Sequence, residues 1–282
     1  MTLPTAGLPP STPTSTPPDR QPPASSYGSP QALYRPRPTL SALIRRFPTC
    51  YALIGTTSLV FLAQMAGAWL LGRGLTCSFG DVVCELGAKD VQAIAAGQLW
   101  RLVTPLFVHV GVWHLFINMY SLNALGPAVE RFFGSPRTLV IYLLSGTGGV
   151  VFSLAFSNAP AVGASGAIFG LLGALGVFLF QHRATFGRAA EMQLQRVLLI
   201  ALLNLALGLL PQIDKWGHFG GLLVGAALAW FLGPRMEVLS APAEPTQLAD
   251  RRPWREVWLS AVIAAGVIAA LALAAIYSPF RG

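Results

Sequence analysis

Hydrophobic residues in this chain are grouped in long runs that contain almost no charge. No Asp, Glu, Lys or Arg occurs from Thr138 to Gln181 or from Val197 to Ile213. A helix that crosses the hydrocarbon core of a bilayer needs about 20 apolar residues, so each run is long enough to span. The pattern predicts an all-α polytopic membrane protein. Its seven candidate spans cover approximately residues 50–71, 113–129, 138–157, 163–182, 195–212, 216–233 and 257–277.

Composition supports the same environment. Of the 282 residues, 54% are hydrophobic and 11% charged, whereas soluble domains carry about 25% charged residues. The formal net charge is +8, but the cations lie at the ends of apolar segments and form no basic face with interleaved aromatic residues. We therefore expect the lipid bilayer as the partner of this surface, and no nucleic acid.

The distribution of Lys and Arg predicts the orientation. With a cytoplasmic N-terminus, 14 of the 19 Lys and Arg residues fall on the inner side and 5 on the outer side. This bias follows the positive-inside rule. The stretch from Gly72 to Val112 then becomes an outer loop, and its apolar part 103–112 is too short to span. We expect that part to be a half-buried element in the outer leaflet.

The remaining segments complete the predicted domain organisation. Residues 1–44 are rich in Pro, Ser and Thr, which predicts a disordered cytoplasmic tail; no apolar segment of a secretory signal follows Met1. Residues 45–234 form the predicted six-span core, 235–256 a cytoplasmic linker, and 257–277 the seventh transmembrane helix. Cys77 and Cys84 share the outer loop, and the sequence leaves open whether they are bridged.

Polar side chains inside a membrane are costly, and each is a candidate functional residue. His114 and Asn118 are four residues apart, so both lie on one face of a helix and can donate hydrogen bonds. Interhelical hydrogen bonding without catalysis is the alternative interpretation of this pair.

Ser165 and His218 form the second candidate group. Ser165 lies between glycines near the outer end of the fourth span, and His218 lies in a Gly-rich string near the outer end of the sixth. The two helices run in the same direction, so both residues have the same depth, and glycine ladders allow the helices to approach closely. Close approach would let an imidazole activate the serine hydroxyl. No carboxylate is expected at this level in spans two, four and six, so we predict a dyad whose imidazole is oriented by packing, with an aromatic neighbour as a candidate.

Five groups of residues together resemble the motifs of the rhomboid family of intramembrane proteases, over about residues 45–233. These groups are Trp100-Arg101 within the string from Gly97 to Pro105, His109 with the string from His114 to Met119, the series Gly126, Glu130 and Gly134, the string from Gly163 to Gly166, and the string from His218 to Gly221.

The resemblance implies a role for each matching residue. Ser165 would be the nucleophile and His218 the general base, and the Ser165 backbone N–H with the side chains of His114 and Asn118 would form the oxyanion hole. Trp100 and Arg101 would anchor the outer loop, and Glu130 would tie cytoplasmic helix ends together. The implied fold is a rhomboid-like six-helix bundle, here with one additional C-terminal transmembrane helix. The implied activity is serine-type endopeptidase cleavage of single-span membrane proteins near the outer membrane face, without metal or cofactor.

Two other functions compete with this prediction. A catalytically silent rhomboid-like protein that binds membrane clients would usually lack the serine or the histidine, and both are present. A transporter or proton relay would place polar groups across the bilayer, whereas these groups lie at one level. A zinc metalloprotease of the His-Glu-x-x-His type is excluded because that string is missing. The sequence leaves the physiological substrate and the oligomeric state open.

Overall fold

The computed structural model describes residues 38–72, 82–210, 213–239 and 247–277, and the helical unit begins at Leu40. Ten α-helices and one β-hairpin are seen in these ranges. The helices are α1 (Leu40–Arg46), α2 (Pro48–Leu70), α3 (Val82–Gly87), α4 (Val91–Ala95), α5 (Val112–Phe156), α6 (Ser165–Gln181), α7 (Arg183–Phe186), α8 (Arg188–Leu207), α9 (Lys215–Leu232) and α10 (Trp254–Ile276). Short 3₁₀ helices at Leu99–Leu102 and Thr104–Leu106 complete the connection from α4 to α5.

Helix α5 contains a sharp break at Gly134. This residue has φ +74° and ψ 164°, a conformation that glycine adopts readily because it has no Cβ. Pro136 follows two residues later, where a missing N–H is tolerated at the start of a helix. The break divides α5 into α5a (112–133) and α5b (135–156), which correspond to the second and third predicted spans. The connection expected between those spans is therefore almost entirely helical.

Four of the described helices are long and apolar enough to cross a membrane, namely α2, α5, α8 and α10. The break gives α5 two crossing lengths, and the apolar helix α6 is 17 residues long. The predicted all-α polytopic membrane class is thereby confirmed.

The centre of the bundle is formed by α5, α6 and α9, which pack against one another. Glycines of α9 face glycines of α6 so closely that a Cβ on Gly221 would overlap the carbonyl oxygen of Gly166, and one on Gly225 would overlap that of Gly170. Helices α2 and α10 pack on α5, and α8 packs on α6. Leucines of α8 such as Leu198 and Leu202 are exposed, as expected of a surface that faces lipid.

Two boundaries of the predicted domains differ in the structure. Helix α1 begins at Leu40, inside the range 1–44 predicted to be disordered, while the rest of that prediction, with the question about Cys77, lies outside the described residues. The predicted linker 235–256 contains a β-hairpin, in which β1 (Met236–Leu239) pairs antiparallel with β2 (Gln247–Asp250).

The hairpin is fastened to the end of the bundle that carries Glu130. Arg137 of α5b forms a 2.8 Å ion pair with Asp250, and the Met236 N–H donates to His182 Nε2 over 2.9 Å. His182 caps the C-terminus of α6. The segment that leads to α10 is therefore anchored on both α5 and α6.

Candidate active site

Ser165 is the first residue of α6. The first N–H groups of a helix have no partner inside the helix, and the helix dipole places partial positive charge there. The turn into the helix passes through Gly163, whose φ of +121° lies in the region that disfavours residues with a side chain. Ser165 is half-buried, and Ala164 before it is fully buried.

His218 lies in the first turn of α9, beside the start of α6. Its Nε2 is 2.7 Å from the Ser165 Oγ, which is hydrogen-bond distance. The Phe169 ring, one turn after Ser165 on α6, stacks on the imidazole with centroids 4.5 Å apart and an interplanar angle of 20°. Packing of α6 against α9 thus fixes both the distance and the plane of the ring.

The other imidazole nitrogen, His218 Nδ1, is buried and has no hydrogen-bond partner among the residues that the structure describes. A carboxylate does lie close by, since Asp214 is the N-cap of α9 and its Oδ1 accepts from the Gly217 N–H over 3.0 Å. The expectation concerned carboxylates within the predicted spans, and Asp214 lies outside them, because the helix cap falls just before the predicted start of the sixth span. The Asp214 carboxylate accepts a hydrogen bond from the helix N-terminus and forms none with the imidazole.

His114 shares a space with Ser165 that exists because Gly163 has no side chain. A Cβ on Gly163 would lie 2.8 Å from His114 Nε2 and 3.8 Å from Ser165 Oγ. Asn118 lies one turn further along α5a, 4% exposed, and its Nδ2 donates to the His114 carbonyl over 2.9 Å. The structure thus brings His114 next to the serine and places Asn118 beneath His114.

A chain of hydrogen bonds links the first span to this site, and sequence reasoning missed its origin. The side-chain amide of Gln64 on α2 pairs with both backbone groups of His109, each over 3.1 Å. The His109 ring in turn accepts from the Ala164 N–H through Nε2 at 3.3 Å. Burial above all, with a smaller contribution from the neighbouring His114, lowers the pKa of His109 to about 3, so this ring is neutral. Gln64 is fully buried, and a glutamine within an apolar run was the available signal.

Trp100 and Arg101 hold the loop between α2 and α5. Trp100 Nε1 donates to the Leu86 carbonyl over 3.1 Å. Arg101 is buried and its Nη1 donates to the Ala88 carbonyl over 2.8 Å. Both side chains therefore bind carbonyls at the C-terminal end of α3.

Glu130 lies at the opposite end of α5a from His114. Its two carboxylate oxygens accept from the backbone N–H groups of Thr49 and Cys50, each over 2.9 Å. The Ser135 hydroxyl donates to the same carboxylate over 2.6 Å. Because Thr49 and Cys50 belong to the first turn of α2, Glu130 caps that helix and joins it to the break in α5.

A cavity opens beside Ser165 and His218. Its walls consist largely of residues with small side chains, including Gly146, Gly149 and Ala161, together with Pro105 and Asp214. Within the described ranges, no group of three or more His, Cys, Asp and Glu side chains is arranged to hold a metal ion. The cavity thus borders both Ser165 and His218.

Together the fold and the site define a polytopic membrane protein with a Ser–His pair at the ends of two closely packed helices. The family described as the rhomboid domain matches residues 96–235, a range that includes Ser165, His218, His114 and Asn118 but not Gln64. The chain belongs to the rhomboid family through this domain, and the resemblance found in the sequence is confirmed.

Curated relatives match between about half and two thirds of the chain. The rhomboid protease GluP of Bacillus subtilis (strain 168) is 42% identical over 154 residues, which are 54% of this chain and 30% of that protein. RHOMBOID-like protein 6, mitochondrial, of Arabidopsis thaliana is 39% identical over 52% of this chain and 48% of its own. RHOMBOID-like protein 1 of the same plant is 33% identical over 64% and 49%. The chain thus spans between about a third and a half of the length of these relatives.

Proposed function

We propose that the protein is an intramembrane serine endopeptidase that cleaves single-span membrane proteins with a Ser165–His218 dyad. The observation that carries the proposal is the 2.7 Å distance between Ser165 Oγ and His218 Nε2. Membership of a family that includes a protease 42% identical over half of this chain gives further support.

In this mechanism His218 Nε2 takes the proton of the Ser165 hydroxyl while Oγ attacks the scissile carbonyl carbon. His218 then gives that proton to the leaving amine, and the chain is left as an acyl ester on Ser165. Water then attacks the ester, and His218 takes a proton from it. The ester bond breaks, the new carboxyl terminus leaves, and His218 returns the proton to Ser165 Oγ. The stacked Phe169 ring keeps the imidazole in the plane that both transfers need.

The negative charge of the tetrahedral intermediate falls beside several donors. The Ser165 N–H at the helix N-terminus has no intrahelical acceptor, and His114 in its Nε2–H tautomer faces the same space. Asn118 has a second amide hydrogen besides the one given to the His114 carbonyl. We assign these three donors to the oxyanion hole, where loss of one donor typically lowers the rate by about 10²- to 10³-fold.

We further propose that the N-terminus is cytoplasmic and that the site opens to the outer side. The excess of Lys and Arg on the predicted inner segments supports this orientation. The cavity of small residues favours substrates with a small side chain at the cleaved bond, near the end of their transmembrane helix. The outer membrane face is then the level of cleavage.

A fluorophosphonate probe and a cleavage assay test the proposal on the purified full chain. Wild type should be labelled at Ser165 and should cleave a member of a panel of single-span reporter proteins. Ser165→Ala should abolish both, and His218→Ala should lower both by at least about 10³-fold while the melting temperature in detergent stays near that of wild type.

Two results would contradict the proposal. The first is a wild type that is neither labelled nor active, which favours the silent client-binding protein. The second is labelling that survives Ser165→Ala, which assigns the reaction to another residue. A rate unchanged in Asn118→Ala would remove Asn118 from the oxyanion hole and leave the dyad intact.

A further inference from the structure

Lys89 is a charged side chain without any solvent exposure. It lies between α3 and α4 in the loop before α5. Its Nζ donates to the Ser153 hydroxyl over 2.8 Å, to the Ser157 carbonyl over 2.9 Å and to the Ser153 carbonyl over 3.3 Å. A buried ammonium group is stable only where such acceptors replace its hydration.

These three acceptors belong to one place, the C-terminal end of α5b. Ser157 is the C-cap residue of that helix, where carbonyl groups lack partners and carry partial negative charge. The ammonium group therefore caps the helix directly before the chain turns towards Ser165. A methionine of similar length could fill the same space without the cost of burying a charge, so apolar packing does not account for a lysine here.

The main chain of Lys89 binds the same connection at a second point. Its N–H donates to the Ala161 carbonyl over 2.9 Å, and its carbonyl accepts from the Ala161 N–H over 3.3 Å. The two residues thus form an isolated antiparallel bridge. Two residues later the Gly163 N–H donates to the Pro105 carbonyl over 2.8 Å.

Through these contacts Lys89 anchors a segment that borders the site. The connection 157–164 begins where Nζ is bound and ends at the residue before the nucleophile. Its residues Ala161, Val162 and Gly163 form one wall of the cavity beside Ser165. One residue therefore fixes both the start and the middle of this wall.

We propose that Lys89 is a positioning residue that holds the 157–164 wall in the shape that binds the substrate chain. The proposal rests on the proposed protease function. Lys89 touches neither Ser165 nor His218, whose approach is set by the packing of α6 against α9. Its loss should therefore weaken substrate binding more than it weakens the reactivity of the dyad.

The test compares two readouts in the full-length protein. Lys89→Met keeps the length of the side chain and removes its donors. We expect its KM for a single-span reporter to rise about tenfold, while the rate of fluorophosphonate labelling at Ser165 falls by less than about threefold. Ser153→Ala removes only one acceptor, and we expect its KM to rise about two- to fivefold.

Ile94→Ala is the matched control for a loss of stability. Ile94 is 1% exposed in the same loop and packs near Leu154 of α5b, but it has no part in the contacts of Lys89. We expect it to lower the melting temperature and leave KM within about twofold of wild type.

Three results would overturn the proposal. One is a Lys89→Met protein whose KM equals that of wild type. Another is a Lys89→Met protein whose cleavage and labelling fall together in proportion to lost folded protein, as expected for Ile94→Ala. If Lys89→Met does not fold, an unchanged KM in Ser153→Ala has the same consequence. If wild type is not labelled at Ser165, the proposed protease function itself is wrong, and this outcome is distinct from the three above.

Discussion

Gly149 is the position where one added methyl group should test how the dyad is held together. It lies on α5b and faces the backbone of α9 directly before His218. A Cβ at this position would lie 2.6 Å from the Gly217 carbonyl oxygen and 3.3 Å from the Gly221 N. Neither neighbour is the end of a flexible side chain that could move aside. Gly149→Ala must therefore displace helix backbone.

The structure gives the size of this displacement. Ordinary contacts of a Cβ begin at 3.4 Å, so the Gly217 carbonyl has to retreat by about 0.8 Å from its 2.6 Å contact to reach that range. The Ser165 Oγ and His218 Nε2 atoms are 2.7 Å apart. If His218 moves by the same amount, this distance grows to about 3.5 Å, which is at or beyond the limit of a hydrogen bond. A misplacement of about 1 Å at a reacting group costs about 100-fold in rate. We expect kcat/KM to fall about 10- to 100-fold.

The assay is cleavage of a single-span reporter in parallel with the rate of fluorophosphonate labelling at Ser165. Both should fall in Gly149→Ala, because the displacement affects the dyad itself. Gly176→Ala on α6 is one control, since its nearest contact is Val197 at 3.5 Å. Gly266→Ala on α10 is another, with no described atom within 4 Å. Both controls should cleave within about twofold of wild type and gain up to about 1 kcal/mol in stability from the helix propensity of alanine.

A Gly149→Ala protein that cleaves and is labelled at the rate of wild type would refute this reasoning. So would a Gly176→Ala protein that loses as much activity, because the effect would then belong to any added methyl group and not to contact with α9.

Two further predictions concern single side chains, one on α6 beside His218 and one at the end of α5a. Phe169→Leu removes the ring that stacks on His218 at 4.5 Å. In the steady-state cleavage assay kcat should fall about 3- to 10-fold, which corresponds to the interaction energy of one aromatic pair, and KM should change little. Glu130→Gln removes the carboxylate that caps α2, so the free energy of unfolding in a denaturation series should fall by about 2 kcal/mol. Labelling of Ser165 per folded molecule should stay constant. The reason is distance, because Glu130 lies about 24 Å along α5 from His114 at 1.5 Å per residue.

Each of these predictions would be contradicted by a specific result. An unchanged kcat in Phe169→Leu would mean that the imidazole is oriented without the ring. A Glu130→Gln protein that is as stable as wild type, or one that loses labelling per folded molecule, would contradict the role of Glu130 as a helix cap remote from the site.

The sequence predicted the helices and the candidate dyad because both leave strong local signals. Apolar runs of about 20 residues mark spans without knowledge of their neighbours, and a serine or histidine inside such a run is conspicuous. The glycine ladders also pointed to the pair of helices that pack closely. The 2.7 Å distance itself depends on the packing angle of α6 against α9, which no periodicity specifies.

Other features depended on contacts between residues distant in the chain. Gln64 and His109 are 45 positions apart, and the two backbone groups that Gln64 binds become visible only in the folded loop. The acceptors of Lys89 follow it by 64 and 68 positions, so the sequence presents this residue only as one charge of the outer loop. Gly134 belongs to a motif in the sequence, but its role as a break in α5 depends on a positive φ angle that the sequence does not reveal.

The separation of Ser165 and His218 along the chain also bears on how the protein is made. The two residues are 53 positions apart, with α7 and α8 between them, and they meet only when α9 docks against α6. During synthesis the serine enters the membrane before its base has been translated, and a serine hydroxyl without an adjacent base is a weak nucleophile. A nascent chain of the proposed protease would therefore be harmless to neighbouring membrane proteins, because the same packing step that completes the bundle also creates the activity.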